Sequence, residues 1–154
     1  MRTITKRLEI DVGHRLMKHE GKCRYAHGHH YAFELTVGAE TLDEVGRIID
    51  FSVLKEKVGG WLDKYWDHGF IAQRGDPIID WLLENKQKVQ ILDTPPTIEN
   101  LVEVVFFVAT ALLRKHGILV THVVGFETPT SSAAFDLTDS YNVTPPLIQG
   151  IPEF

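Results

Sequence analysis

Two stretches of strict alternation meet the histidines of this chain in phase. Over residues 4–14 the apolar side chains Ile4, Leu8, Ile10 and Val12 fall on even positions, and His14 continues that phase. Over residues 27–37, His27 and His29 share odd positions with Tyr31, Phe33, Leu35 and Val37. A period of two marks a strand with one buried face. Two such strands joined by the loop 15–26 predict an antiparallel pair. The end of the first then lies beside the start of the second. His14, His27 and His29 therefore meet at one end of the sheet, on its buried face.

His-x-His spacing on a strand sets two side chains on one face, about 6.5–7 Å apart along it. Three neutral imidazoles with an open fourth position make the donor set of catalytic zinc. His14, His27 and His29 are therefore the expected ligands of one Zn2+ ion. Gly28 lets the backbone bend or a substrate come close. His30 has the opposite phase, with Ala32 and Glu34, and is expected to stay off the metal; His19, His116 and His122 are read as ordinary. The competing reading is three strand-end histidines, each satisfied by its own hydrogen bond. Shared phase and convergence weigh against it.

Further along, Ser52 is placed to cap a helix with the apolar face Leu54, Val58, Trp61, Leu62 and Tyr65. Residues 69–96 form a long connection with a short helix near 78–83. Thr97, after two prolines, caps a second long helix with the face Leu101, Val104, Val105, Val108 and Leu112, which His116–Gly117 ends. Residues 119–126 read as a third strand and 132–137 as a fourth. The order ββααββ predicts an α+β domain: an antiparallel four-stranded sheet with two helices on one face. Residues 1–154 are read as a single domain, with an extended tail from residue 141 carrying Pro145, Pro146 and Pro152.

The net charge of −5 argues against a general nucleic-acid or membrane-surface binder, which needs a basic face. Residues 1–10 lack the apolar segment of a signal peptide, and no stretch approaches the roughly 18 apolar residues of a membrane span. Cys23 is the single cysteine, so no internal disulfide forms. These features together predict a cytoplasmic setting.

Three further groups carry chemistry. Cys23, four residues before His27 and flanked by Lys22 and Arg24, reads equally as a fourth zinc ligand, a thiol base or nucleophile, or a small buried hydrophobe. Asp67–His68 follows the first helix. Adjacent side chains diverge and need not touch, yet both can edge a cleft as a proton relay; a polar helix end is the plainer reading. Glu127 ends an apolar strand. Its carboxylate suits the two-nitrogen edge of a guanine or pterin ring, or is simply solvated. The loop 15–24 is net positive through Arg15, Lys18, Lys22 and Arg24 against Glu20, which suits attraction of an anion.

The ordered set His14, Cys23-Arg-Tyr-Ala-His27-Gly-His29, Asp50-Phe51, Asp67-His68, Pro96-Thr97-Ile-Glu99-Asn100 and Glu127-Thr128 resembles the 6-pyruvoyltetrahydropterin synthase family. The Cys-x-x-x-His-Gly-His spacing is similar to its bacterial 6-carboxy-5,6,7,8-tetrahydropterin synthase branch, of queuosine biosynthesis. The resemblance implies a tunnelling fold, in which sheets of several subunits join into an oligomeric barrel, and a homohexamer of two stacked trimers with active sites at subunit interfaces. It implies the small-molecule substrate 7,8-dihydroneopterin triphosphate and the products 6-carboxytetrahydropterin, acetaldehyde and triphosphate. It gives His14, His27 and His29 the zinc, Cys23 the proton transfer, Asp67 and His68 the relay, and Glu127 the pterin ring. The chain departs from the common pattern at Asp11-Val12-Gly13, after Asp67-His68, and in a longer connection to Pro96. Two alternatives are a 6-pyruvoyl product on the same fold, and a non-catalytic zinc-stabilised oligomer that binds a pterin or purine.

Overall fold

The computed structural model describes residues 1–150. Strand β1 (Arg2–His14) pairs antiparallel with β2 (His27–Ala39) in the register Ile10↔Tyr31, Val12↔His29 and His14↔His27. The expected first strand pair is therefore present. Helix α1 (Phe51–Leu54) continues through a π-helical stretch, Lys55–Gly59, into α2 (Gly60–Tyr65). Asp50, not Ser52, caps this rod: its carboxylate accepts from the Ser52 N–H at 2.8 Å. The acceptor must precede the first helical residue, and that residue is Phe51.

The four-stranded antiparallel expectation is corrected here. The sheet has six strands in the order β4-β3-β1-β2-β5-β6 and is mixed. The 69–96 connection supplies β3 (Phe70–Gln73), α3 (Ile78–Glu84) and β4 (Val89–Leu92), a parallel unit whose β3 lies beside the end of β1. Its strands are only four residues long and each includes a glutamine, too short for alternation to show. The short helix α3 falls at the expected position.

Thr97 caps α4 (Ile98–Leu113), its hydroxyl accepting from the Asn100 N–H, and Gly117 lies just beyond the rod at φ 68°. Strands β5 (Leu119–Thr128) and β6 (Ser131–Asp136) complete the antiparallel half, and α5 (Leu137–Ser140) follows. The inward residues of β1, β2 and β5 form one apolar cluster with α1, α2 and α4. The other face of β1 shows Thr3, Thr5, Arg7, Glu9 and Asp11 to solvent. Beyond α5, Trp61 Nε1 donates to the Gln149 carbonyl at 3.1 Å, which ties the tail to α2; Pro152 lies outside the described residues. Among the described residues no helix is long and apolar enough to cross a membrane.

Because β3 meets β1 only at Gly13 and His14, the rest of that edge of β1 has no strand partner among the described residues. Gly13 must be small: a Cβ there would stand 2.8 Å from the Phe70 ring.

Candidate metal centre and active site

The register of β1 and β2 delivers the three imidazoles to one place. The ring centroid of His14 lies 4.6 Å from that of His27 and 5.2 Å from that of His29. His14 is buried, and its Nδ1 bonds the Pro96 carbonyl at 2.7 Å. His27 Nδ1 bonds the Tyr25 carbonyl at 2.7 Å. Both bonds require Nδ1–H, which leaves the Nε2 lone pairs free. Those two Nε2 atoms are 3.2 Å apart.

Glu127 joins them. It continues the inward phase of Val123 and Gly125 on β5, and its Oε1 lies 3.3 Å from His14 Nε2 and 3.1 Å from His29 Nε2. The last contact is close but out of hydrogen-bond alignment, so His29 Nε2 is buried without a partner. One donor atom from each of His14, His27, His29 and Glu127 lies within 4.8 Å of all the others. Two ligand atoms of a tetrahedral zinc are about 3.4 Å apart at ordinary bond lengths. The shortest spacings, the free lone pairs and the orphaned nitrogen all fit a cation at this point. Burial pushes the His14 imidazole below its ordinary range, with His27 and His29 adding to it against the Pro96 carbonyl and Glu127. A neutral ring is what a metal needs.

The sequence pattern marks Tyr31 only as a core residue. Its hydroxyl lies 3.2 Å from His14 Nε2. Burial, and after it the Glu127 carboxylate and Cys23, push its phenol far above the ordinary range, so it stays protonated. Its phase with His27 and His29 is the signal that could have placed it at the site.

Cys23 sits half-buried in a 3-10 turn, Lys22–Arg24, on the loop between β1 and β2. It is outside the four-donor group, in which Glu127 supplies the fourth donor. Asp67 and His68, which as sequence neighbours need not touch, do contact each other: His68 Nδ1 bonds Asp67 Oδ2 at 2.6 Å. The reason is the left-handed backbone of His68, φ 56°, which turns its ring back. Main-chain bonds hold the pair to β1, from Asp11 N–H to Asp67 Oδ1 and from His68 N–H to the Asp11 carbonyl. Burial raises the Asp67 carboxyl, but the Asp11 N–H and His68 outweigh it and hold it low. The His68 ring stays exposed beside Asp11 and His30, in a cavity of about 430 Å3, and does not bond Cys23. His30 bonds Asp11 and is absent from the four-donor group.

The sequence profile described as 6-pyruvoyl tetrahydropterin synthase matches residues 3–137. The chain belongs to this family. The 6-carboxy-5,6,7,8-tetrahydropterin synthase of Rickettsia bellii is 38% identical over 128 residues, covering 81% of this chain and 93% of the relative. That of Aquifex aeolicus is 30% identical, covering 86% of this chain and 96% of the relative. Among solved structures, an uncharacterized protein of Wolinella succinogenes superposes with a TM-score of 0.76 at 20% identity, over 88% of this chain and 98% of that one. Caenorhabditis elegans 6-pyruvoyl tetrahydropterin synthase gives 0.67 at 20% identity, over 88% and 94%. The family thus rests on sequence, and the solved structures add the fold.

Proposed function

We propose that the chain is a zinc-dependent cytoplasmic lyase. It converts 7,8-dihydroneopterin triphosphate and water to 6-carboxy-5,6,7,8-tetrahydropterin, acetaldehyde and triphosphate, in 7-deazaguanine and queuosine biosynthesis. The observation that carries this reading is the convergence of His14, His27, His29 and Glu127, with a half-buried thiol on the loop that joins the two histidine-bearing strands. Relatives named 6-carboxy-5,6,7,8-tetrahydropterin synthase favour the carboxy product.

His14, His27 and His29 would hold the ion, and bound zinc supplies electrophilic polarisation of substrate oxygens. Cys23 takes and returns the proton at the side-chain carbons. Asp67 holds His68 by Nδ1, which leaves Nε2 to exchange a proton with a thiol. Cys23 and His68 share no bond within one chain, and β1 has a long unpaired edge. The reading therefore sets Cys23 of one copy against the Asp67–His68 pair of another, in a homo-oligomer such as a hexamer. Glu127 offers carboxylate oxygen to the N–H edge of the pterin.

Mass spectrometry of products from 7,8-dihydroneopterin triphosphate tests this. Acetaldehyde with 6-carboxytetrahydropterin is the expected result, and Cys23→Ala should abolish it while leaving zinc bound. Triphosphate release with a 6-pyruvoyl product moves the chain to the other activity of the family. No conversion by zinc-loaded protein withdraws the enzyme reading in favour of a pterin-binding oligomer.

A further inference from the structure

We infer that Asp76 is a positioning residue for Cys23, acting through Arg15. Asp76 stands in the turn between β3 and α3, and its side chain is fully buried. Arg15 Nε donates to Oδ2 at 2.8 Å and an Nη of Arg15 donates to Oδ1. The Ile78 N–H donates to Oδ1 at 2.9 Å. A two-pronged guanidinium–carboxylate fork fixes orientation as well as distance. Burial, the largest influence, raises the Asp76 carboxyl, but the Arg15 and Ile78 donors outweigh it, and the pair stays ionised.

Arg15 directly follows His14 and opens the loop that carries Cys23. The next residue, Leu16, donates its N–H to the Cys23 carbonyl at 2.8 Å, and its own carbonyl accepts from His19. The route from Asp76 to the Cys23 backbone is thus one ionic fork, one peptide unit and one main-chain hydrogen bond. Beside the fork, Arg15, Met17, Arg24, Tyr25 and Pro77 surround an open space of about 360 Å3. Little packing backs the loop there, so the fork is its firm attachment to the β3–α3 turn. The β3–α3–β4 unit thereby holds the root of the thiol-bearing loop. The same fork neutralises Arg15, which leaves Lys18, Lys22 and Arg24 as the loop's unspent positive charge.

The labelling arm of the test stands apart from the proposed activity; the kinetic arm rests on it. Cys23 is the single thiol, so iodoacetamide labelling followed by mass spectrometry reads it alone. In the zinc-loaded chain, Asp76→Asn is expected to speed Cys23 labelling about tenfold, because a loop without its anchor opens more often. Zinc content per chain stays unchanged. Turnover of 7,8-dihydroneopterin triphosphate falls about a hundredfold in kcat, with KM within about twofold. Arg15→Lys keeps the charge but loses the fork. It moves both readouts in the same direction by less, and serves if Asp76→Asn does not fold. Unaltered labelling in a folded variant overturns the proposal, even where kcat falls. If the unaltered chain turns over no pterin, the activity reading fails alone and labelling still decides this one.

Discussion

The Nε2 atoms of His14 and His27 face each other at 3.2 Å while their Nδ1 atoms bond the carbonyls of Pro96 and Tyr25. Neutral rings so arranged point two lone pairs at each other, which is repulsive until a cation lies between them. The metal-loaded chain is expected to hold about one zinc per chain and to melt lower after chelation. His29→Ala removes the donor whose Nε2 is buried and unpartnered. Its zinc affinity should fall at least about a hundredfold, measured by competition with a chromophoric chelator. Unchanged zinc affinity in that variant would remove His29 from the ligand set.

Tyr31→Phe deletes a hydroxyl that lies 3.2 Å from His14 Nε2 and close to Glu127. The ring still fills the core. Groups that orient metal ligands contribute about 10–100-fold to affinity. Zinc binding should weaken by that order while the thermal midpoint of the chelated protein moves little. A large drop in that midpoint with unchanged zinc affinity would make the hydroxyl structural instead.

Glu127→Gln separates two roles that geometry alone leaves together. The carboxylate stands within 3.3 Å of two imidazole nitrogens, which suits a ligand, while its strand-end position suits a ring anchor. Under the proposed function the variant keeps its zinc and loses pterin affinity. KM should rise by at least about tenfold as a charge-assisted pair becomes a neutral one. Loss of zinc in this variant would instead assign Glu127 to the metal.

The histidine cluster was legible because strict alternation fixes the face of each histidine and the loop between the strands brings their ends together. The pairing His14↔His27 itself is one of several registers that keep those faces, and the fold selects it. The α4 cap and its end were legible from Thr97 and Gly117. Strands β3 and β4 were not, because Phe70–Gln73 and Val89–Leu92 are each four residues long, too short to establish a period. The Asp67–His68 contact depends on a left-handed backbone at His68, a conformation that histidine tolerates better than most residues but that its identity does not fix in advance. Arg15 and Asp76 are 61 positions apart and belong to no repeating pattern, so only the folded chain shows that they meet.

That pair also gives a pH dependence with a definite sign. In the unfolded chain an aspartate titrates near about 3.9, whereas the folded chain holds Asp76 lower. Above the unfolded value both states are ionised and the pair contributes fully. As pH falls the unfolded chain takes its proton first, and the contribution shrinks until the folded carboxyl also protonates. Asp76→Asn should therefore cost about 1–3 kcal/mol at pH 7, since Arg15 is partly exposed and water can take up its freed donors, and the gap to the unaltered chain should narrow below about pH 4. Urea unfolding of the chelated proteins at pH 7, 5 and 3.5 measures that gap, and the histidines, common to both chains, largely cancel in the difference. A gap that stays constant across this range would mean that Asp76 titrates alike in the folded and unfolded chains, and a gap that widens as pH falls would mean that its carboxyl is protonated in the fold.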